Sequence, residues 1–467
     1  MAIGWKIVYD GKTPPPGQAV APDERLSWGR TVGLGAQHVV AMFGATFVFP
    51  LIMGLNPQLA VLMSGIATIC FLLIVSGRVP SYLGTSASFV GGAAAIYTQK
   101  GDPADVTGAV LVAGVVLALV GVLIHFAGTR ALHVVLPPVV TGAVVMLIGF
   151  NLAPVVANTY WPQDQWIALI TMSAVVLMAV GLRGFFGRIA IFLGLVIGYL
   201  LSWAFDGIFG KITAFDAAAG KVTTHFRVNW DGVRTADWIG FPPHSDFANH
   251  VVGWHWPTFH IAFILLMLPA VIALVAENTG HVKAVSEMTG HNLDPLMGRA
   301  IAADGVGTVI ASTFGGSPTT TYAENIGVMA ATRVYSTAAY YVAAIVAILF
   351  GLCPKFGALV SATPGGVLGG ITVVLYGMIG LLGAKIWKEN GVDFGNPVNL
   401  VPIAAGIIIA IGNTSLKFTD NFTLGGIALG TIIAVVAYHV ARWVAPANLK
   451  DDDVSLIVVD RPGVQDA

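Results

Sequence analysis

Two glutamates, Glu277 and Glu324, lie in apolar segments and carry the groups best suited to chemistry in this sequence. Glu277 closes the apolar run 261–277, and Glu324 follows the Ser/Thr-rich stretch 317–321. A carboxylate near the centre of a bilayer costs about 2.5–3.5 kcal/mol on insertion scales, so it persists mainly where it pairs, faces water or functions. Two such acids in neighbouring apolar segments predict a polar substrate site coupled to protons.

Each glutamate also has an ordinary structural interpretation. Glu324 can be a first-turn acid that the helix dipole stabilises, and Glu277 can be a charge at the end of a span. His281 follows Glu277 by four residues, which places both on one helix face, where a carboxylate and an imidazole can relay a proton. His38 is a lone histidine in an apolar helix, where a buried supporting role competes with a role in the site.

Three further side chains are weaker candidates. Asp304 is a third acid within an apolar segment, and we expect it to brace the broken backbone nearby rather than to touch a ligand. Tyr322 and Tyr376 are candidates for lining a planar ligand, although ordinary packing explains many buried tyrosines.

The composition predicts a helical membrane protein that crosses the bilayer many times. The 467 residues are 56% hydrophobic and 10% charged, with a mean hydropathy of +0.80. Soluble domains carry about 25% charged residues. The net charge of -1 gives no indication of a nucleic-acid partner, and the polar N-terminus has no apolar core typical of a signal peptide. Cys70 and Cys353 lie in apolar runs and are expected to be buried thiols.

Several function classes lack their motifs. The sequence has no GxxxxGK[ST] loop for a nucleotide, no paired His/Cys spacing for a metal and no GxSxG nucleophile motif. We therefore expect no cofactor, no metal, no catalytic residues and no direct use of ATP.

Apolar runs of about 20 residues predict fourteen membrane segments, seven on each side of a long polar connection at 209–255 that reads as a solvated cap. Their predicted positions are 34–54, 58–77, 84–98, 106–128, 133–152, 166–182, 189–208, 256–277, 297–314, 320–332, 336–352, 365–384, 399–412 and 423–444. With the N-terminus inside, 16 of the 23 Lys and Arg residues fall on the inner side. This bias predicts that both termini are cytoplasmic.

An odd number of segments in each half implies an inverted repeat. His38 then corresponds to Glu277, and Ala87 corresponds to Glu324. The third and tenth segments are both short and interrupted by Gly and Pro, at 80–92 and 315–322. Paired broken segments of this kind point to a transporter binding site, because non-helical backbone at membrane depth survives only in protein or beside a cavity.

The segment Glu324–Arg333 matches the pattern [Q/E/P]-N-x-G-x-x-x-x-T-[R/K/G]. This pattern resembles the signature of the nucleobase–ascorbate transporter family, also called nucleobase:cation symporters of the second kind. Further matches occur in the order the family shows, at Gln37-His38, 80–84, Ala276-Glu277 and Asp304-Gly305. The resemblance covers about 34–445 and is strongest to bacterial uracil permeases and the pyrimidine-utilisation permease.

The resemblance implies an all-α polytopic fold of 7+7 inverted repeats, with short antiparallel strands in broken spans 3 and 10. A cytoplasmic N-tail at 1–33 would precede a core domain of two parts (34–128 and 256–352) and a gate domain of two parts (129–208 and 353–445). The loop 209–255 would be extracellular or periplasmic, and the C-tail 446–467 cytoplasmic. A homodimer formed through the gate domains, in the bacterial inner membrane, is also implied.

The resemblance also implies residue roles. Glu277 and Glu324 would hydrogen-bond a nucleobase, and the backbone amides at Ala87 and Ala323 would meet its carbonyl oxygens. His281 would act through water, so that coupling to protons would involve Glu277, His281 and Glu324. The remaining members of the site would line or support it: His38, Tyr322, Tyr376, Asp304, Asn325, Gln37, Thr85 and Ser86. Uracil permeases tend to have Phe and Gly where this chain has Ala87 and Ala323.

The predicted function is proton-coupled import of uracil or a related pyrimidine across the plasma membrane. In the family, Glu at the first signature position accompanies uracil-type substrates, and uracil offers an N–H between two carbonyls to an acceptor-only carboxylate. A purine or xanthine permease of the same family is the nearest alternative. An anion transporter on the same scaffold would need Lys or Arg near the broken segments, and a membrane enzyme would need a nucleophile or metal cluster.

Overall fold

The protein is predominantly helical over the residues that the computed structural model describes, which are 4–128, 134, 136–216, 221–244, 252–419 and 422–450. Most of the predicted C-tail, from residue 451, lies outside these ranges, as do the start of the predicted fifth span and parts of the loop 209–255.

The first half of the chain contains nine α-helices of four residues or more and five strands among the described residues. The helices are α1 (Trp28–Ile52), α2 (Pro57–Ile74), α3 (Val90–Thr98), α4 (Pro103–Ala127), α5 (Pro138–Asn151), α6 (Gln165–Gly181), α7 (Phe185–Arg188), α8 (Ala190–Phe209) and α9 (Asp231–Thr235). The strands are β1 (Lys6–Ile7), β2 (Glu24–Arg25), β3 (Leu83–Thr85), β4 (Ile212–Asp216) and β5 (Lys221–His225).

The second half contains ten such helices and three strands within the described ranges. The helices are α10 (Ile261–Met267), α11 (Pro269–Thr289), α12 (Met297–Thr313), α13 (Ala323–Thr332), α14 (Thr337–Gly351), α15 (Pro354–Ser361), α16 (Gly365–Glu389), α17 (Pro397–Ile411), α18 (Gly426–Val444) and α19 (Ala447–Lys450). The strands are β6 (Thr319–Thr321), β7 (Ser415–Thr419) and β8 (Phe422–Gly425).

Side-chain caps determine where several long helices begin. Asn56, Asp102, Asp164 and Asn396 each accept a hydrogen bond from a backbone N–H in the first turn that follows. Three of the four caps are followed directly by proline, whose fixed φ suits the first helical position and whose missing N–H costs nothing there.

Eight helices in the described residues are long and apolar enough to span a membrane, or nine if the bent pair α14–α15 is one span. Shorter apolar helices, such as α6 and α17, add to this set. The largest boundary difference from the sequence prediction is that the segment expected to end at Glu277 continues as helix α11 to Thr289. Val282 and Val285 keep a buried face on this extension, and Gly290 ends it in the left-handed conformation.

The helices of the two halves pack on each other at matching positions. The second helix of the first half, α2, packs against α14, and α4 packs against α12. In the predicted repeat, α2 corresponds to α12 and α4 corresponds to α14. The pair α2–α14 is therefore equivalent to the pair α12–α4. Helix α5 packs against α16, which is its own counterpart, and α17 packs against α18. A large hydrophobic cluster includes residues of α2, α4, α12 and α14, and a second cluster joins α5, α17 and α18.

Residues 4–27 fold against the end of α13 and the start of α14, and we call them the N-terminal strap. The Val20 N–H donates to the Arg333 carbonyl at 2.9 Å, and the Tyr335 N–H donates to the Val20 carbonyl at 2.8 Å. The Trp5 indole donates to the Thr337 hydroxyl at 2.9 Å. Val20 is fully buried, so this polar N-terminal segment is a packed part of the fold, which the sequence did not indicate.

Glycines set the close approach of α4 and α12, and Gly121 is one of them. A Cβ at Gly121 would collide with the backbone of Ala302 and lie 2.7 Å from the Gly298 carbonyl oxygen. We expect Gly121→Ala to destabilise the protein by about 1–3 kcal/mol, because the crowding atoms belong to a helix backbone that cannot yield locally. The matched control is Gly207→Ala in α8, where a Cβ meets no heavy atom within 4 Å.

Thermal unfolding of detergent-solubilised protein, followed by size-exclusion chromatography, measures both variants. We expect a lower melting temperature for Gly121→Ala and an unchanged or higher one for Gly207→Ala, since alanine favours a helix over glycine. Equal melting temperatures for the two variants would contradict this packing.

Candidate functional site

The centre of the protein holds a two-stranded ladder formed by the two broken segments. Strands β3 and β6 pair antiparallel, with Gly84 opposite Thr320. The ladder extends by one hydrogen bond at each end, from the Ser86 N–H to the Pro318 carbonyl (2.9 Å) and from the Tyr322 N–H to the Tyr82 carbonyl (3.1 Å). Every residue of both strands is buried. Hydrogen bonds between the strands therefore satisfy the backbone N–H and carbonyl groups that an interrupted helix would otherwise leave to water.

Threonine hydroxyls satisfy the outer edges of this ladder in the same way on both sides. The Thr68 hydroxyl in α2 accepts from the Leu83 N–H at 2.9 Å and donates to the carbonyl of the same residue at 3.4 Å. The Thr308 hydroxyl in α12 accepts from the Thr319 N–H at 3.1 Å and donates to its carbonyl at 3.0 Å. Neither strand edge therefore carries unpaired backbone groups at these two residues.

The ladder also places two short helices so that both of their N-termini face it. Antiparallel strands run in opposite directions, so the helical turn at Ala87 and the helix α13 at Ala323 leave from opposite ends. The Ser86 hydroxyl accepts from the Ser88 N–H, whereas α13 has no side-chain cap at Tyr322. The first-turn N–H groups at Ala87 and Ala323 are thus available to a ligand, with the positive ends of two helix dipoles behind them.

Both glutamates lie beside this ladder and retain solvent-accessible surface. Glu324 is the second residue of α13, and Glu277 lies in the middle of α11, three turns before its end. Both are partly exposed, and so is Ala87, while Ala323 is exposed. Glu277 lies within electrostatic reach of Glu324 and Asp304. The interpretation of Glu277 as an end-of-helix charge is therefore wrong.

A chain of buried hydrogen bonds joins the third acid to the histidine of α11. The Asn278 amide nitrogen donates to Asp304 Oδ2 at 2.6 Å, and the Asn278 oxygen accepts from the Thr321 hydroxyl at 2.9 Å. The Thr321 hydroxyl also contacts His281 Nδ1 at 2.7 Å. Asn278, Asp304 and Thr321 are all fully buried or nearly so, whereas His281 is partly exposed.

His38 and Asn325 connect α1 to α13 beneath the site. The Asn325 amide nitrogen lies 3.2 Å from His38 Nδ1 and donates to the His38 carbonyl oxygen at 3.0 Å. The His38 ring packs on the Tyr340 ring, with centroids 4.3 Å apart, and is 1% exposed. Gln37, beside it, is partly exposed. These contacts favour a supporting role for His38.

The two tyrosines expected to line the site occupy different surroundings. The Tyr322 hydroxyl donates to the Thr85 carbonyl at 2.7 Å and accepts from the Thr46 hydroxyl at 3.1 Å, which fixes it to the ladder and to α1. Tyr376 in α16 stacks on Phe49 of α1, with ring centroids 6.4 Å apart and planes 12° apart. Its hydroxyl is buried without a hydrogen-bond partner among the described residues.

The two sides of the ladder differ in exposure. Accessible positions continue from Ala323 to Ala330 along α13, toward the N-terminal strap. On the other side of the ladder, Phe49, Tyr160 and Tyr376 are buried between α1 and the α5–α16 group.

Two charged clusters lie apart from the site, toward the end of the protein opposite the strap. Arg227 pairs with Asp164 at 2.7 Å and Asp206 at 3.2 Å, and so fastens the connection after β5 to α6 and α8. Asp105 contacts His260 at 3.2 Å. No group of three or more His, Cys, Asp or Glu within the described residues is arranged to hold a metal ion.

Sequence analysis missed Asn278, Thr321, Thr68, Thr308 and Thr46. Each is a small polar residue inside an apolar or broken segment. Such residues are frequent in membrane helices and usually bond to their own backbone, so the sequence alone does not distinguish the ones that hold a neighbouring element.

The arrangement can recognise a small planar ligand that presents both N–H donors and carbonyl acceptors. Ionised carboxylates accept hydrogen bonds only, and the backbone N–H groups at Ala87 and Ala323 donate only. Hydrogen bonds to charged groups contribute about 1.5–3 kcal/mol, which makes the glutamates the strongest available contacts.

The chain is similar to known proteins over most of its length. Residues 29–418 match a family model, Xan_ur_permease, whose description is Permease family. The chain is 42% identical over 424 residues to the putative pyrimidine permease RutG of Escherichia coli K12, covering 89% of this chain and 90% of that protein. It is 34% identical over 434 residues to the uracil permease of Paenibacillus larvae, covering 90% and 96% respectively.

A solved structure with a similar fold is the murine anion transporter Slc26a9 in its inward-facing state. The TM-score is 0.63 over 90% of this chain and 69% of that chain, at 11% sequence identity. At this identity the likeness concerns the fold of a helical membrane transporter and nothing finer.

The hydrogen bonds from the Thr308 hydroxyl to the ladder predict that replacing Thr308 with the isosteric valine destabilises the protein, whereas the same change at a threonine without such bonds does not. Thr308→Val removes the only partner that α12 gives to the Thr319 N–H and leaves that buried group without a hydrogen bond. We expect a loss of about 1–3 kcal/mol in stability. The matched control is Thr431→Val in α18, whose buried hydroxyl has no partner among the described residues.

The melting temperature of the purified protein measures this difference. We expect Thr308→Val to lower it and Thr431→Val to leave it unchanged or raise it, since the control removes an unsatisfied polar atom. If Thr431→Val were the more damaging change, the ladder would not be the structural element described here.

Proposed function

Because the chain belongs to the Permease family, we propose that it is a proton-coupled symporter that imports uracil or a related pyrimidine nucleobase across the bacterial plasma membrane. The relatives that support this substrate class are named as a pyrimidine permease and as uracil permeases. Family membership makes the protein a transporter rather than an enzyme.

The observation that carries the proposal is the pair of partly exposed carboxylates beside two helix N-termini with free N–H groups. Uracil carries an N–H between two carbonyls. In the proposed pose the N–H groups of the base donate to Glu277 and Glu324, and its carbonyl oxygens accept from the amides at Ala87 and Ala323. A base with a different order of donors and acceptors would leave polar groups of the site without hydrogen bonds, and this energetic cost gives the site its selectivity.

The absence of a basic side chain in either broken segment disfavours anion transport on this fold. The segments 80–92 and 315–322 contain neither Lys nor Arg. An anion would meet two carboxylates at close range, and this repulsion in a poorly solvated site is larger than the attraction of two helix dipoles.

The proposed architecture has fourteen spans in two inverted repeats of seven. The exchange of the α2–α14 and α4–α12 pairs between halves supports it. Helices α1–α4 and α10–α14 form the proposed core, and the α5–α8 and α15–α18 groups form the proposed gate. Movement of the core relative to the gate would expose the site alternately to each side. Cytoplasmic termini and dimerisation through the gate are part of the same proposal.

Proton coupling is assigned to Glu277 together with His281, with Glu324 as the second acid of the site. Two carboxylates that share a poorly solvated site repel each other, so holding one proton between them favours the loaded state. In the proposed cycle a proton and the base enter from the outer side, the core moves, and both leave on the strap side.

The substrate assignment predicts the effect of Glu324→Gln. Loss of a charge-assisted hydrogen bond should weaken uracil binding about tenfold or more. The measurement is uptake of radiolabelled uracil into proteoliposomes under an imposed inward proton gradient, with the exposed Glu389→Gln as the matched control.

We expect the wild type and the Glu389→Gln control to accumulate uracil, and Glu324→Gln to lose this accumulation. Wild-type uptake of xanthine but not uracil would move the assignment to purines, and an unaffected Glu324→Gln would remove Glu324 from the site.

The coupling assignment predicts a different result for Glu277→Gln. The substitution retains size but cannot take up the coupling proton, so gradient-driven accumulation should be lost. Exchange of internal for external uracil should persist with weaker affinity, because exchange needs no net proton movement. Glu287→Gln, an exposed position on the same helix, is the control. Full proton-driven accumulation by Glu277→Gln would show that the coupling proton resides elsewhere.

A further inference from the structure

We infer that Asn278 and Thr321 are positioning residues that hold neutral His281 in the tautomer with its proton on Nδ1, leaving Nε2 as the ring's proton acceptor. The inference rests on counting donors and acceptors along the chain that runs from Asp304 to His281. It deepens the proposed coupling role of His281 and therefore rests on the proposed function for its consequences, although not for its geometry.

The orientation of the Asn278 amide is the first step. Its nitrogen lies 2.9 Å from the Leu274 carbonyl oxygen and 2.6 Å from Asp304 Oδ2. A carbonyl oxygen is an acceptor only, so the group of Asn278 that faces Leu274 must be the NH₂. Both of its N–H donors are then used, and the Asn278 oxygen points the other way. A flipped amide would put its oxygen against two other oxygens.

The Thr321 hydroxyl is the second step. It lies 2.9 Å from the Asn278 oxygen, which accepts only. A hydroxyl has one proton, and this contact uses it. Toward His281 Nδ1, at 2.7 Å, the same hydroxyl has only lone pairs to offer. The hydrogen bond therefore requires a proton on Nδ1.

The ring of neutral His281 then has its remaining lone pair on Nε2. The Nδ1 end faces Thr321, which is 1% exposed, while the residue as a whole keeps accessible surface. A proton that arrives from the site adds to the Nε2 lone pair and gives the imidazolium, and no other bond in the chain changes. When that proton leaves, the Thr321 contact returns the ring to the same tautomer.

This arrangement assigns a role to Thr321 that the pairing of β6 alone does not explain. Its backbone pairs with Leu83, so any β-branched residue would suit the strand. The hydroxyl is needed only because it donates to the Asn278 oxygen and can then only accept a hydrogen bond from His281 Nδ1. Thr321→Val keeps the shape and removes that relay, and Thr321→Ser keeps the hydroxyl.

The test reads the tautomer directly. Full-length protein labelled with ¹⁵N-histidine is reconstituted in lipid, and the His281 signals are identified by their absence in His281→Gln. Nitrogen chemical shifts distinguish a protonated from an unprotonated ring nitrogen. We expect Nδ1–H with unprotonated Nε2 in the wild type and in Thr321→Ser, and a shift toward Nε2–H, the form preferred by free imidazole side chains in water, in Thr321→Val.

Wild-type protein with Nε2–H would overturn the inference, and this arm needs no variant to fold. Thr321→Val with an unchanged tautomer would overturn it as well. In the transport arm, we expect proton-driven uracil uptake to fall roughly fivefold in Thr321→Val with equilibrium uracil binding retained, and to be restored in Thr321→Ser. If the wild type transports no nucleobase while His281 shows the Nδ1–H form, the proposed function fails and the positioning role stands.

Discussion

The pairing of β3 with β6 is the constraint on which the rest of this structure depends. An interrupted helix at membrane depth exposes backbone N–H and carbonyl groups that hydrocarbon cannot satisfy, and each costs several kcal/mol if it is left unpaired. Two interrupted segments from distant parts of the chain solve this problem for each other. Because the ladder is short and antiparallel, it also fixes where the two following helices begin. The same pairing therefore sets the positions of Ala87, Ala323 and Glu324.

Side chains of the surrounding helices hold this ladder by hydrogen bonds. Thr68 and Thr308 bracket its two edges with equivalent hydrogen bonds from corresponding helices, and the Tyr322 hydroxyl ties the end of β6 to Thr85 and to α1. Thr68 and Thr308 have no apolar substitute, since a methyl group in place of either hydroxyl would bury an unpaired N–H. These threonines therefore serve the backbone, whereas Glu277, Glu324 and His281 keep accessible surface.

The sequence was sufficient to predict the parts of this arrangement that carry an energetic penalty. Acids in apolar runs and Gly/Pro interruptions are rare unless something compensates for them, so Glu277, Glu324 and the two broken segments were conspicuous. The expected family is confirmed by the family model and by the relatives. The partners of Asn278 and Thr321 could not be predicted, because small polar residues leave no periodic signal. The predicted membrane segment ended at Glu277, with the helix continuing as far as His281, whereas helix α11 continues to Thr289 and keeps Val282 and Val285 buried.

The N-terminal strap is the part of the structure that the sequence concealed most completely, and it bears on the site through helix α13. This helix has ten residues, too few to be stable by itself in isolation. Its N-terminus is held by the ladder, and its C-terminus ends at Arg333, whose carbonyl and following residues bond to Val20 and Pro22 of the strap. Glu324 therefore sits on a short helix that is anchored at both ends by elements from the other half of the chain. A carboxylate on such a helix is held in position before a ligand arrives, which reduces the ordering that binding requires and favours discrimination between similar ligands.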